Sequence, residues 1–207
     1  MASPAKSLVL YESLRSGMRE GDIIVFSGQE IISWWIKFFT GSPITHCAMV
    51  RQRMHQNGPF DVLVTESTIS KRNGPQTNPL GEILSLEYVG GQAEWLQLDD
   101  DIYNTIDFQK FYEFIGAMED HAKYDVEGLV LYAAKYLPFI GPFIQQSPDP
   151  HQMFCDAWCI AIFEACGVLR GINPRKMAPK DLAQMKLYKK AVPILGEPMV
   201  IKHFNTL

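Results

Sequence analysis

A thiol at the start of a helix, an imidazole in a strand and a carboxylate on a neighbouring strand are the parts of nucleophilic acyl chemistry. This 207-residue chain holds a candidate for each. Cys155 stands in Phe154-Cys155-Asp156-Ala157-Trp158, after the loop Ser147-Pro148-Asp149-Pro150 and at the head of an apolar run to Gly167. At a helix N-terminus the positive end of the dipole favours thiolate, the nucleophilic form. His46, in Ile44-Thr45-His46-Cys47-Ala48-Met49-Val50, is the candidate base, and Glu66, after an apolar strand run, the candidate to orient it. A thiol hydrolase needs this division of labour: a thiolate, an imidazole that moves the proton, and a third group that sets the ring's tautomer and tilt. Taken singly, each residue also fits a plain structural role. A helix-start cysteine packs as a small hydrophobe, a strand histidine is a core polar group, and a glutamate at a strand end is a surface residue. Cys159 and Cys166 follow the apolar pattern of Ala161, Ile162 and Phe163 and read as core, while His55, His121, His151 and His203 sit in loops, on a polar helix end or near the terminus.

These groups must be positioned by the elements around them. Residues 8–16 read as a short helix closed by Gly17, and 23–26 as a strand rich in β-branched residues. Residues 29–40 read as a helix whose apolar residues, Trp34, Trp35 and Phe38 among them, are too dense for one stripe; it is either buried or sticky. Gly41-Ser42-Pro43 ends it. Strands at 44–51 and 61–68 flank a hairpin loop with Asn57-Gly58-Pro59. A hairpin symmetric about Gln56 sets His46 opposite Glu66 and Val50 opposite Val62, on one face. Residues 70–82 read as a polar loop, 83–89 and 94–98 as strands. Phe108, Phe111, Ile115 and Met118 give residues 107–123 helical spacing. A helix at 128–136 stopped by Pro138, an irregular stretch at 139–154, the Cys155 helix, a short helix from Pro179 and strands within 194–204 complete the expectation. No repeat or linker divides the chain, so a single domain over 1–207, with its core at about 17–204, is expected.

Composition narrows the function. A net charge of −4 and pI near 5.7 speak against a nucleic-acid footprint, and the basic run at 186–190 reads as a solvated helix face. Four cysteines at irregular spacing form neither a disulfide framework nor a zinc pattern, and their apolar surroundings suit reduced thiols. No signal-like segment and no run of membrane-spanning length is read, so a cytoplasmic protein is expected.

The ordered motifs carry a resemblance. Gly21-Asp22 followed by Ile23-Ile24-Val25-Phe26, the apolar segment 31–39, Thr40-Gly41-Ser42-Pro43 and then Thr45-His46-Cys47 resemble the opening of YiiX-like proteins. These form the circularly permuted branch of the NlpC-like, papain-related superfamily. Tyr124-Asp125, Phe154-Cys155 and Ala178-Pro179-Lys180-Asp181-Leu182 match its later elements, so the resemblance spans most of 17–185. It departs at Asp156-Ala157-Trp158, where the family has Ser-Glu-Leu, and at Thr45, where Ser is common. The resemblance implies an α+β fold, a permuted papain-like antiparallel sheet packed against helices, and a cysteine hydrolase without cofactor. It implies Cys155 as nucleophile, His46 as base and Glu66 as orienting carboxylate, with Tyr124 and Trp158 near the substrate and helix-start amides, from Cys155 onward, as oxyanion donors. Substrates would be peptidoglycan-type peptides or acyl amides and esters. The same residue order occurs in lipid acyltransferases of the lecithin retinol acyltransferase-like type, and segment 31–39 would suit peripheral lipid contact. A papain-like binding module without catalysis is the alternative from another class; a metal site at His46 and Cys47 lacks a converging ligand set.

Overall fold

The computed structural model describes residues 8–54, 61–68, 74–119, 155–172 and 177–207. Among them, six strands form one antiparallel sheet in the order β4-β3-β2-β1-β5-β6, made of β1 (Ile23–Ser27), β2 (His46–Met54), β3 (Asp61–Thr68), β4 (Gly74–Pro79), β5 (Gln92–Leu98) and β6 (Tyr188–Leu195). The helices are α1 (Val9–Leu14), α2 (Ile31–Thr40), α3 (Leu80–Leu86), α4 (Asp100–Tyr103), α5 (Phe108–Glu119), α6 (Cys155–Ala165) and α7 (Pro179–Gln184). The fold is α+β, as expected.

Strand side chains alternate between faces, and here both faces are covered. Ile23, Val25, Cys47, Met49, Leu96 and Leu98 bury against α5 and α6. Ile24, Phe26, Ala48, Val50, Val62 and Val64 bury on the other face against α1 and α3, through Tyr11, Leu80, Ile83 and Leu84. That double cover explains why β1 is apolar at four consecutive positions and buried along its whole length. The helix α6 is buried around most of its circumference, which accounts for its uniform apolar sequence.

Gly21-Asp22 is a structural device. The Asp22 side chain, 0% exposed, accepts the Arg19 N–H and the Trp95 Nε1–H at 2.8 Å and the Leu98 N–H at 3.0 Å, tying the start of β1 to the end of β5. Burial pushes this carboxyl upward, against those three donors. Gly21 sits at φ +88°, and a Cβ there would lie 2.8 Å from Ile106 Cδ1.

Several sequence expectations are corrected. Residues 74–79 form the edge strand β4, not a loop; its sequence Gly-Pro-Gln-Thr-Asn-Pro has no apolar alternation, and its prolines lie on an edge strand, where they are tolerated. Residues 80–86 form a helix because Leu80, Ile83 and Leu84 recur at helical spacing and bury together. The last strand is Tyr188–Leu195, so the basic run ends on a strand, with Lys189 and Lys190 exposed there, and residues 196–207 form no strand. Helix α2 resolves toward the sticky reading: Trp34, Trp35 and Phe38 are 57%, 47% and 66% exposed, and Gly41 closes the helix in the left-handed region at φ +62°. The hairpin loop around Asn57-Gly58-Pro59, the end of the 107–123 helix, the 128–136 helix and the 139–154 segment lie outside the described residues.

Candidate active site

Three elements converge on Cys155: its own helix α6, of which it is the first residue, and strands β2 and β3. The helix is pinned to β3 by Trp158, whose Nε1–H donates to Thr65 Oγ1 at 3.0 Å while its ring stacks on Phe114 of α5 at 5.6 Å. Thr65 Oγ1 in turn donates to Glu119 Oε1 at 3.3 Å, and the other oxygen of Glu119 pairs with Arg51 at 2.8 Å. Trp158 is thus a fully buried anchor with its one polar group occupied, and not a residue a substrate could touch as the sequence reading had it. Tyr124 lies outside the described residues.

His46 opens β2. The Thr45 hydroxyl before it bridges the ends of β1 and β2, accepting from the Gly28 N–H at 3.0 Å and donating to the Phe26 carbonyl at 3.2 Å. Either Ser or Thr supplies that hydroxyl. The His46 ring lies 5.7 Å from that of Phe26, which stacks on Tyr88 at 4.5 Å. His46 Nε2 is 2.6 Å from Glu66 Oε2, and the second oxygen of Glu66 accepts Asn78 Nδ2–H at 3.0 Å. Glu66 is 1% exposed, so both oxygens of a buried carboxylate are satisfied.

The pairing of His46 with Glu66 was expected, but the register that produces it differs. The ladder sets Met49 against Thr65 and Val50 against Val64, two residues away from the symmetric hairpin, with a bulge between Val50 and Gln52. A slip of two residues keeps every side chain on its face, whereas a slip of one would not. Ala48 becomes the residue nearest opposite Glu66 by extension of that ladder, and His46 reaches the carboxylate diagonally.

His46 and Cys47 are consecutive in one strand and so face opposite ways, yet both bear on the titration of the Cys155 thiol. The Cys155 thiol is held well below its ordinary value, first by the hydrogen bond from the Cys47 side chain, against the opposing effect of burial, then by the charge and hydrogen bond of His46. For His46, burial alone would push the imidazole down. The charge and hydrogen bond of Cys155, followed by those of Glu66, reverse that and hold it well above its ordinary value. The arrangement favours a thiolate–imidazolium pair.

Asp156 follows Cys155, where the resemblance read in the sequence has a serine. It is 2% exposed, and burial, then the charge of Cys155, hold its carboxyl well above the ordinary range. The backbone N–H groups of Asp156 and Ala157 offset this in part, while Oδ2 has no hydrogen-bond partner among the described residues. Sequence reasoning missed Asn78, since its strand looked like a loop, and Cys47, which it treated as an ordinary strand residue beside the histidine. Its adjacency to His46 was the only signal for Cys47. Among the described residues no group of three or more His, Cys, Asp and Glu side chains is arranged to hold a metal ion, and no helix is long and apolar enough to cross a membrane. The sequence matches no protein-family model and no curated protein sequence.

Proposed function

We propose that this chain is a cysteine hydrolase of amide or ester bonds with a Cys155–His46–Glu66 triad on a permuted papain-like fold. The observation that carries the reading is His46 Nε2 lying 2.6 Å from the buried Glu66, with the buried Cys155 at the start of α6 near enough for its charge and that of His46 to shift each other's titration. That is the nucleophile, base and orienter sequence required for covalent acyl catalysis. The chain order histidine, carboxylate, cysteine and the antiparallel sheet backed by α6 support the permuted fold.

In this reading Cys155 Sγ attacks the carbonyl carbon, and the electron pair of the C=O bond moves onto oxygen, stabilised by the Cys155 N–H at the helix start. Collapse breaks the bond to the leaving amine or alkoxide, which takes its proton from the His46 imidazolium. A thioester on Cys155 remains. Neutral His46 then removes a proton from water, the hydroxide adds, and the thiolate leaves as the acid is released. Glu66 keeps the ring aligned and favours its charged form through both halves.

Peptide amides of the cell-wall type and acyl amides or esters are the two substrate classes. The exposed aromatic surface of α2, where Trp34 and Phe38 stack at 5.6 Å, favours the acyl class and a lecithin retinol acyltransferase-like lipid reaction as the second reading. A panel of chromogenic acyl esters and short peptide amides tests the proposal. Turnover by wild type, lost in Cys155→Ala and His46→Ala with the fold intact, supports it. Equal turnover by Cys155→Ala would overturn it. A binding module without catalysis predicts no turnover of any member and a Cys155 that alkylates as an ordinary thiol.

A further inference from the structure

A cavity of about 340 Å³ opens beside the end of β1. Part of its wall is backbone brought together by glycine: a Cβ on Gly91 would lie 2.8 Å from the Ser27 carbonyl oxygen, and one on Gly196 2.7 Å from that of Gly91. The side chains of Ser27 and Lys37, both on the lining, have hydrogen-bonding capacity to spare. Ser27 is 2% exposed, and its hydroxyl makes no hydrogen bond to a described residue. Buried hydroxyls are ordinarily partnered, so one left open on a cavity wall is suited to a ligand. Lys37, from α2, donates to the Gly28 carbonyl at 2.6 Å and pairs with no carboxylate of a described residue, which leaves its other N–H donors open. Burial lowers its ammonium from the ordinary value, the direction expected of a cation without a counter-charge. Glu197, the acidic residue on the lining, is exposed and forms no ion pair with it.

The cavity adjoins the site. Ser27 follows Phe26, the ladder partner of His46, and Gly28, which Lys37 holds, donates its N–H to Thr45 Oγ1 at 3.0 Å. Strand spacing puts the Ser27 Cα about 6 Å from that of His46. Strand alternation turns the Ser27 side chain to the face of Val25, which α6 covers. We propose that this cavity is a carboxylate-binding subsite, in which the Lys37 ammonium and the Ser27 hydroxyl hold the free carboxylate of a small amino-acid or peptide substrate. Its part in the reaction rests on the hydrolase reading, and of the two substrate classes it selects the peptide amides. An ammonium and a hydroxyl match the two oxygens of a carboxylate and offer nothing to a hydrocarbon chain. The volume falls at the small end of ligand pockets, which run from about 300 to 1,000 Å³, and suits an amino-acid-sized group.

Binding is measured apart from turnover, in the Cys155→Ala protein, by NMR amide shifts of isotope-labelled samples. The probes are N-acetyl-alanyl-alanine in both enantiomeric forms, the matching C-terminal carboxamides, and inorganic phosphate. A carboxylate probe should give saturable shifts at Gly90, Gly91 and Gly196, and its carboxamide should bind at least about tenfold more weakly, the change expected when charge-assisted hydrogen bonds are lost. Adding Lys37→Met should weaken carboxylate binding about tenfold or more, and adding Ser27→Ala about three- to tenfold, with thermal melts to establish folding. If Lys37 only latches Gly28, Lys37→Met lowers the melting temperature while carboxylate and carboxamide bind alike, and the proposal fails. It fails equally if no probe shifts those glycines, or if phosphate binds more tightly than the carboxylate. Should Lys37→Met not fold, a carboxylate preference reduced by Ser27→Ala supports the subsite, and one that Ser27→Ala leaves unchanged refutes it. A bound carboxylate without turnover of any ester or amide by wild type places the failure in the hydrolase reading. Turnover without any carboxylate preference places it in the subsite.

Discussion

Replacing Glu66 probes the least visible member of the proposed triad. In the wild type its Oε2 meets His46 Nε2 at 2.6 Å and its Oε1 accepts from Asn78 at 3.0 Å, in a site that is 1% exposed. Glu66→Gln removes the charge and turns one acceptor into a donor, so either His46 or Asn78 faces an N–H with an N–H. A hydrogen bond to a charged group contributes about 1.5–3 kcal/mol and a neutral one about 0.5–1.5. The difference, about 1–1.5 kcal/mol, lowers the equilibrium population of the thiolate–imidazolium pair about 5- to 12-fold. Glu66→Ala removes the whole interaction and leaves two buried donors without partners, for a loss of about 12- to 150-fold. The assay is the second-order rate of Cys155 alkylation on the acid side of neutrality, with circular dichroism to establish that each variant folds. The expected order is wild type, then Glu66→Gln, then Glu66→Ala. Wild-type rates in both folded variants would refute the reasoning, because the carboxylate would then have no part in charging His46.

The pH dependence has a defined sign. Cys155 titrates below an ordinary thiol and His46 above an ordinary imidazole; the reactive pair is lost to acid as the thiolate is protonated and to alkali as the imidazolium is deprotonated. A kcat/KM profile should therefore be a bell whose acid limb lies below about 8.5 and whose alkaline limb lies above about 6.5, checked by stopped-time turnover across buffers. Asp22→Ala orphans three donors, those of Arg19, Trp95 and Leu98. At about 1–3 kcal/mol each the loss is at least about 3 kcal/mol, or about 6–12 °C in Tm by thermal denaturation. Trp158→Phe keeps the ring against Phe114 but loses the bond to Thr65, and urea unfolding should show it destabilised by about 0.5–1.5 kcal/mol.

Much of the fold was legible because burial imposes simple patterns. The run Ile23-Ile24-Val25-Phe26, covered on both faces, reads as a strand, and Asp61–Thr68 was bounded correctly by its flanking polar segments. The site was legible from chemistry: a histidine and a glutamate on one face of two adjacent strands, and a cysteine at a helix start. What escaped was whatever depends on partners distant in the chain. Strand β4 has no apolar pattern of its own and is held by its ladder to β3, so Asn78 had no local signal. The register at Met49 and Val50 lies two residues from the symmetric hairpin, and a bulge between Val50 and Gln52 shifts it by one within the ladder, which no symmetry argument from the loop foresees.

The account stands or falls on Cys155 being a thiolate nucleophile activated by His46. The most direct measurement is labelling with an electrophilic acyl probe, read by intact mass and peptide mapping on wild type, Cys155→Ala and His46→Ala. One adduct on Cys155, absent from Cys155→Ala and strongly slowed in His46→Ala, is the predicted result. Full labelling of Cys155→Ala, or unchanged labelling of His46→Ala, would contradict it.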